Sequence, residues 1–345
     1  MRFGRTVLGA LAHALPEEVI TSAEIEERLA PVYGRIGLSP GRLELMTGIR
    51  ERRAWAEGTR PSAASTAAGE AVLAGWPGRD SLDLLVHAAV SRDRLEPATA
   101  AYVHEALGLP AHTQIFDLSN ACLGFLNALV VAAGQIESGL ARRVLVVAGE
   151  NGRPLLEHTL ATLLADPPSR KGIKPYFANL TIGSAAVAAV LCAEEDCPVP
   201  PVGRLEYGVA GTDGRYARLC EGDSAEGGGL MMQTDSEALL EAGIGLAATT
   251  WDRFRAADPF SEPFGHTITH QVGRTHQRRL HEALGLDPER DYATYPFLGN
   301  VGSVACPVTL SLAREAGVLA PGERVALLGI GSGLSSVMLG IRTGD

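Results

Sequence analysis

Residues Asp117–Gly134 read DLSNACLGFLNALVVAAG, and the order of residue types there governs how the rest of the chain is read. Asp117, Ser119 and Asn120 close a strand and open a polar turn, and Ser and Asn are residues that cap helix N-termini. From Leu123 onward Leu, Phe, Ala and Val occupy nearly every face of the next helix. A helix apolar all round is a buried helix. The pattern predicts Cys122 in its first turn, where free N–H groups and the positive end of the macrodipole favour a thiolate. Two readings stay open on this stretch alone: a nucleophile, or a core cysteine acting as a small hydrophobe.

The flanking sequence repeats one theme. Leu82–Ala89 (LDLLVHAA), Arg143–Gly149 (RVLVVAG) and Gly183–Cys192 (GSAAVAAVLC) are continuous apolar runs, as expected of strands covered on both faces. Thr6–Ala14 reads as a first strand, and Thr21 with Glu24 as a capping box that opens a helix through Leu29. Pro31–Arg60 reads as loop-rich. Helices are expected over Ala63–Ala74, Thr99–Leu107 and His158–Leu164. The acidic segment Glu194–Val202 contains three prolines and reads as a boundary, dividing the chain into 1–196 and 197–345. The second part starts again with a strand at Gly203–Ala210, followed by a glycine-rich acidic loop through Gly222–Gly229. A helix capped by Asp235 or Ser236, a strand at Phe264–Thr269 and a helix at Val272–Leu284 come next. A short strand at Tyr292–Tyr295 and a helix at Val304–Ala316 precede a closing hairpin around Gly331-Ser332-Gly333. Strands and helices alternate, and even the helices lack a polar face, which points to a layered α/β architecture with two similar halves.

Composition narrows the function classes. With 46% apolar and 20% charged residues over 345 positions, the chain has the make-up of a large globular protein. A net charge of −10 argues against a partner held through nucleic-acid phosphates. No apolar run is long enough to span a bilayer. The five cysteines are scattered and form no CxxC pair, so neither a disulfide framework nor a zinc site is expected. A reducing cytoplasm suits them, with no metal.

Besides Cys122, three places carry chemistry-bearing residues. His270 stands where a strand hands over to a helix, and Asn300 lies thirty residues later between glycines in Gly299-Asn300-Val301-Gly302. Gly329-Ile330-Gly331-Ser332-Gly333 is a loop whose backbone N–H groups can face an anion. Singly, each has an ordinary structural reading: a satisfied histidine, a turn-forming asparagine, a hairpin glycine loop.

Together they resemble the thiolase superfamily, specifically condensing enzymes of the 3-oxoacyl-acyl-carrier-protein synthase III type. The match lies in Ser119-Asn120-Ala121-Cys122, Thr47-Gly48-Ile49-Arg50-Glu51-Arg52, His270-Gln271, Gly299-Asn300-Val301-Gly302 and the terminal glycine loop, over essentially the whole chain. Within that group the chain most resembles the OleA family, which joins two fatty acyl-CoA molecules head to head. Glu96-Pro97-Ala98-Thr99-Ala100, DLSNACLGF, Gly149-Glu150-Asn151, Thr234-Asp235-Ser236-Glu237, His270-Gln271-Val272 and LLGIGSGL at Leu327–Leu334 carry that likeness.

The resemblance implies a thiolase-like five-layered αβαβα fold and an acyltransferase that forms a carbon–carbon bond. It makes Cys122 the acylated nucleophile, with His270 and Asn300 on the thioester carbonyl of the second substrate. The N–H groups of Cys122 and Ser332 become an oxyanion hole. Glu96, an ordinary surface carboxylate on sequence alone, becomes the base, lent across a homodimer interface. Coenzyme A thioesters are then substrates, and no further cofactor is implied. Two other chemistries use the same residues: a decarboxylative synthase III with a malonyl donor, for which Glu96 is incidental, and a Cys-dependent acyltransferase or thioesterase. One departure stands out. Synthase III enzymes often place Trp and Arg before the Thr-Gly-Ile motif to hold the CoA adenine, whereas Leu45 and Met46 precede Thr47 here.

Overall fold

A computed structural model describes residues 1–224 and 230–344 of the chain. The first half contains β1 (Thr6–Ala14), β2 (Glu18–Thr21), α1 (Ser22–Arg28), α2 (Ala30–Ile36), α3 (Arg42–Thr47), β3 (Glu51–Ala54) and α4 (Pro61–Ala74). It continues through β4 (Leu84–His87), α5 (Thr99–Ala106), β5 (Gln114–Asp117), α6 (Gly124–Glu137), β6 (Arg143–Glu150), α7 (Arg153–Ala165) and β7 (Ala185–Ala193). The second half contains β8 (Gly203–Thr212), β9 (Cys220–Ser224), β10 (Leu230–Thr234), α8 (Ser236–Ala257), β11 (His266–Thr269) and α9 (Arg274–Leu284). It ends with α10 (Tyr295–Leu298), α11 (Ala305–Glu315), β12 (Arg324–Gly331) and β13 (Ser335–Thr343).

Nine strands join in the order β11-β12-β13-β8-β1-β7-β6-β4-β5. The two halves of that order repeat one another. In the first, β4 runs parallel to β6, β6 antiparallel to β7, and β7 antiparallel to β1. In the second, β11 runs parallel to β12, β12 antiparallel to β13, and β13 antiparallel to β8. The halves meet where β1 pairs with β8 at Val7–Arg204 and Leu8–Gly203.

Layering follows from which face each apolar residue takes. Val86, Val146, Val187 and Leu191 from the first half of the strand order face inward together with Ile268, Val325, Leu327 and Leu339 from the second, and α6 and α11 fill the space between these two sheet layers. The alternate residues Leu85, Leu145, Val147 and Val190 pack outward on α4 and α5. On the far side Tyr207, Val209, Leu328 and Met338 pack on α8 and α9, with Tyr207 and Phe254 stacked at 4.6 Å. The result is helix, sheet, helix, sheet, helix. Strands and central helices with apolar residues all round are what such a sandwich requires.

Three expectations change. Pro31–Arg60 is not chiefly loop but holds most of α2, α3 and β3, because Val32, Tyr33 and Leu43 pack with Ile25, Leu29 and with Leu156, Leu160 and Leu163 of α7. Tyr292–Tyr295 is not a strand, so the second half has no counterpart of β5. Side chains hold that segment instead, as described below. The loop read through Gly222–Gly229 begins as a strand, since β9 pairs with β10, while its Gly227-Gly228-Gly229 portion lies outside the described residues. No helix among the described residues is long and apolar enough to cross a membrane.

Candidate active site

The turn carrying Cys122 is tighter than a capped helix start. Ala121 has φ of 46°, a left-handed conformation in which a side chain is strained, and such strain concentrates at functional sites. Leu123 N–H donates to the Asn120 carbonyl (2.9 Å) and Gly124 N–H to that of Ala121 (3.2 Å). The helix begins at Gly124 with Leu123 as its cap and no side-chain capping bond. Ser119 is exposed, and the Asn120 amide reaches Asn127 Oδ1 (2.8 Å) rather than a helix N–H. Cys122 therefore stands in the turn just ahead of the helix, not in its first turn.

The expected thiolate is corrected with it. Cys122 is partly exposed as a residue, yet desolvation pushes its thiol up to about 12, with the Glu150 carboxylate and Cys220 adding to the rise. Its own backbone N–H opposes this and is outweighed. At rest this side chain is a thiol. Alkylation of Cys122 by iodoacetamide, followed on its own peptide by mass spectrometry, is expected to quicken about tenfold per pH unit from pH 7 to 10 without levelling. A plateau near neutrality would mean a stabilised thiolate.

Glycines let several segments close on this turn. A methyl group at Gly124 would lie 3.1 Å from the Ala88 carbonyl oxygen and 3.5 Å from Ser303 Cβ. At Gly331 it would meet Leu123 Cγ at 3.2 Å and Cys122 N at 3.4 Å, so the main chain leading into Ser332 runs alongside the Cys122 amide.

His270 extends the β11–β12 ladder, its N–H donating to the Leu328 carbonyl (3.0 Å) just before that glycine loop. It is buried, and burial together with neighbouring His276 lowers it to about 3, so the ring is a neutral hydrogen-bonding group. The residues on either side of it are anchored. Thr269 donates to Asp291 through N–H (3.3 Å) and hydroxyl (2.5 Å), and Gln277 and His281 Nε2 meet the same carboxylate at 3.0 and 2.8 Å. Gln271 donates to the Tyr292 carbonyl (2.7 Å) and accepts from Thr294 N–H (2.7 Å) and Tyr295 N–H (2.9 Å). One amide side chain thus supplies the bonds a strand ladder would have made at Tyr292–Tyr295.

Asn300 is held by main chain. Its N–H donates to the Thr181 carbonyl (2.9 Å) and its carbonyl accepts from Gly183 N–H (2.9 Å). Its side-chain oxygen accepts from Gly302 N–H (3.0 Å), which fixes the amide plane and sets its NH2 on the opposite side. Arg52 backs this strap, donating to the Leu180 (2.9 Å) and Ile20 (3.3 Å) carbonyls and to Ser22 Oγ (3.2 Å). Burial lowers its guanidinium to about 10.

Glu96 is placed differently. It is exposed, next to Leu95 at 92% exposure, and among the described residues its own chain ties it to none of Cys122, His270 or Asn300. The segment it tips is nonetheless anchored: Ser62 donates N–H and hydroxyl to Asp93 (2.9 and 2.6 Å), and Asp117 accepts from Thr99 N–H and Ala100 N–H (2.7 and 2.8 Å). Sequence reading gave no role to Glu150, which is buried and whose charge acts on the Cys122 thiol. A carboxylate closing a strand whose middle is wholly apolar is the signal it offered. Leu45 and Met46, where an adenine clamp would stand, are exposed. Among the described residues no group of His, Cys, Asp or Glu is arranged to hold a metal ion.

Known proteins resemble this chain in sequence and fold. The family model "3-Oxoacyl-[acyl-carrier-protein (ACP)] synthase III" matches residues 116–166, and its C-terminal counterpart matches residues 261–342. An acyl-CoA:acyl-CoA alkyltransferase of Shewanella oneidensis is 37% identical, covering 99% of this chain and 100% of its own. One of Xanthomonas campestris is 35% identical, covering 98% of both. The crystal structure of a Xanthomonas campestris OleA variant with bound lauric acid and lauroyl-CoA superposes with a TM-score of 0.92 at 34% identity, covering 99% of each chain. Full-length likeness at these identities, on a thiolase-like fold, means that the chain belongs to the acyl-CoA:acyl-CoA alkyltransferase (OleA) family of synthase III-type condensing enzymes.

Proposed function

We propose that this protein joins two fatty acyl-CoA molecules head to head, by a Claisen condensation without decarboxylation, into a 2-alkyl-3-oxoacyl thioester. The end-to-end likeness to acyl-CoA:acyl-CoA alkyltransferases is the observation that carries the reading. The residue types around Cys122 supply each step.

In the first step the Cys122 sulfur attacks the thioester carbonyl of one acyl-CoA. A carbon–sulfur bond to Cys122 forms, the bond to CoA breaks, and the cysteine proton leaves with CoA. The tetrahedral oxyanion falls to the N–H groups of Cys122 and Ser332, a role supported by the close passage of Gly331 past the Cys122 amide. In the second step Glu96 takes a proton from the α carbon of the other acyl-CoA. The resulting enolate oxygen accepts hydrogen bonds from His270 and the Asn300 amide, neutral donors that stabilise it without surrendering a proton. The α carbon then attacks the acyl-Cys122 carbonyl. The carbon–sulfur bond breaks and Cys122 regains its proton by way of Glu96. Two acyl-CoA molecules become one 2-alkyl-3-oxoacyl-CoA and one CoA, and the atoms balance with no further cofactor.

Glu96 serves this reaction from the neighbouring subunit of a homodimer. Its exposure beside Leu95 on an anchored projection supports that reading, since a second copy would cover both. Five free thiols suit a cytoplasmic protein.

Given a single long-chain saturated acyl-CoA, purified protein is expected to release CoA and form the 2-alkyl-3-oxo product, seen by mass spectrometry. Condensation that requires malonyl-CoA, or free fatty acid as the sole product, would overturn the reading.

A further inference from the structure

A carboxylate closes β6, and none of the ion pairs among the described residues includes it: Glu150 is 5% exposed and is answered by neutral donors alone. One oxygen accepts from Val90 N–H (2.9 Å) and from Ser303, whose N–H lies at 3.3 Å and whose hydroxyl also bonds it. The other accepts from Ser91 N–H (3.2 Å) and Ser91 Oγ (2.9 Å). Val90 and Ser91 begin the projection tipped by Glu96. Ser303 follows the Asn300 turn, and a methyl at Gly302 would meet the Glu150 carboxyl at 3.3 Å. Three backbone N–H groups and two hydroxyls thus bind two segments, far apart in sequence, to one buried charge.

We propose that Glu150 is a positioning residue for condensation, a staple that fixes the Glu96 projection against the Asn300 turn. The inference rests on Glu96 being the base. Bonds to a buried carboxylate are stronger than those between neutral groups, and the projection needs such an anchor because its far end hangs clear of its own chain. The staple joins the turn that serves a subunit's own site to the arm that the subunit lends to its partner. Loosening the arm should leave Cys122 able to take its acyl group while impairing the proton abstraction that follows.

The test separates those two stages by rapid mixing with a long-chain acyl-CoA, reading the initial burst of CoA against steady formation of the condensed product. Ser91→Ala removes one donor of the staple without touching the carboxylate. Its burst is expected within about twofold of the parent and its condensation lowered roughly tenfold at little change in KM, the effect of one lost hydrogen bond to a charged group. Ser91→Thr, which keeps the hydroxyl, is expected to recover the rate. Glu150→Gln, which sets an NH2 against N–H donors, is expected to lose condensation further, and Ser91→Ala carries the test should that variant not fold. Loss of burst and condensation in equal measure in Ser91→Ala would reduce the staple to general stability and overturn the inference. Glu96→Gln runs beside them. If it is inert in condensation while Ser91→Ala matches the parent, the inference alone falls; if it condenses normally, the assignment of the base falls and takes the inference with it.

Discussion

Mixing Cys122→Ala chains with Glu96→Gln chains is expected to restore condensation that neither variant performs alone. The first variant has no sulfur to acylate, and removing the nucleophile of a covalent mechanism costs on the order of a thousandfold or more. The second keeps side-chain volume but cannot accept a proton, a loss of about a hundredfold to ten-thousandfold for a general base. In a dimer of one chain of each kind, the intact Cys122 of the Glu96→Gln chain faces the intact Glu96 of its partner, and that site is complete. The opposite site lacks both groups. Random reassociation of two-fold dimers yields mixed dimers as half of the total, each with half its sites working, so roughly a quarter of the parent rate should return. If Glu96 served its own chain's cysteine, no site in any dimer would be complete and nothing would return. The assay is product formation after co-refolding or co-expression, with both parent variants run separately.

The contrast between Cys122 and Glu96 also marks where sequence reading succeeded and where it stopped. The runs around Leu84, Val146 and Val187 announced strands buried on both faces, because no other environment tolerates such residues on both sides of a strand. Thr21 and Glu24 form the capping box their spacing implied, and Asp235 caps α8 through Ala238 N–H. These signals are local, with cause and effect within a few residues. The larger misreadings were non-local, unlike the missing Ser119 or Asn120 cap. Val32 and Leu43 fold into helices by packing on α7, more than a hundred residues away. Tyr292–Tyr295 carries a strand's residue types but finds Gln271 where a ladder partner would be. Helix-tip reasoning gave Cys122 a low pKa from its immediate neighbours, and enclosure by distant segments reversed the sign. Glu96 lies beyond even that reach, since among the described residues no contact within one chain distinguishes it from a solvated carboxylate, and only the resemblance singles it out.

Replacing Gly183 with alanine is expected to damage stability and activity together, because this glycine fastens the strap holding Asn300. A Cβ there would stand 1.9 Å from the Leu298 carbonyl oxygen and 3.2 Å from Arg52 Cβ. The first neighbour is backbone and the second is the root of a buried arginine, so neither can yield by turning a side chain. The two strands of the strap must part, which breaks Gly183 N–H to Asn300 carbonyl and strains Asn300 N–H to Thr181 carbonyl. Overpacking of this kind with the loss of a buried hydrogen bond costs about 3 kcal/mol or more. On the proposed mechanism, a displacement of about 1 Å at Asn300 is expected to take its amide off the enolate oxygen and lower kcat/KM roughly a hundredfold. Gly245→Ala is the matched control: it lies within α8, nothing stands within 4 Å of its would-be Cβ, and helix propensity favours alanine there by about 1 kcal/mol. Thermal unfolding and steady-state kinetics on both variants read the outcome. If Gly183→Ala matched the parent in both, Asn300 would have to be held by something other than the strap, and the convergence of the two halves at the active site would need a different physical cause.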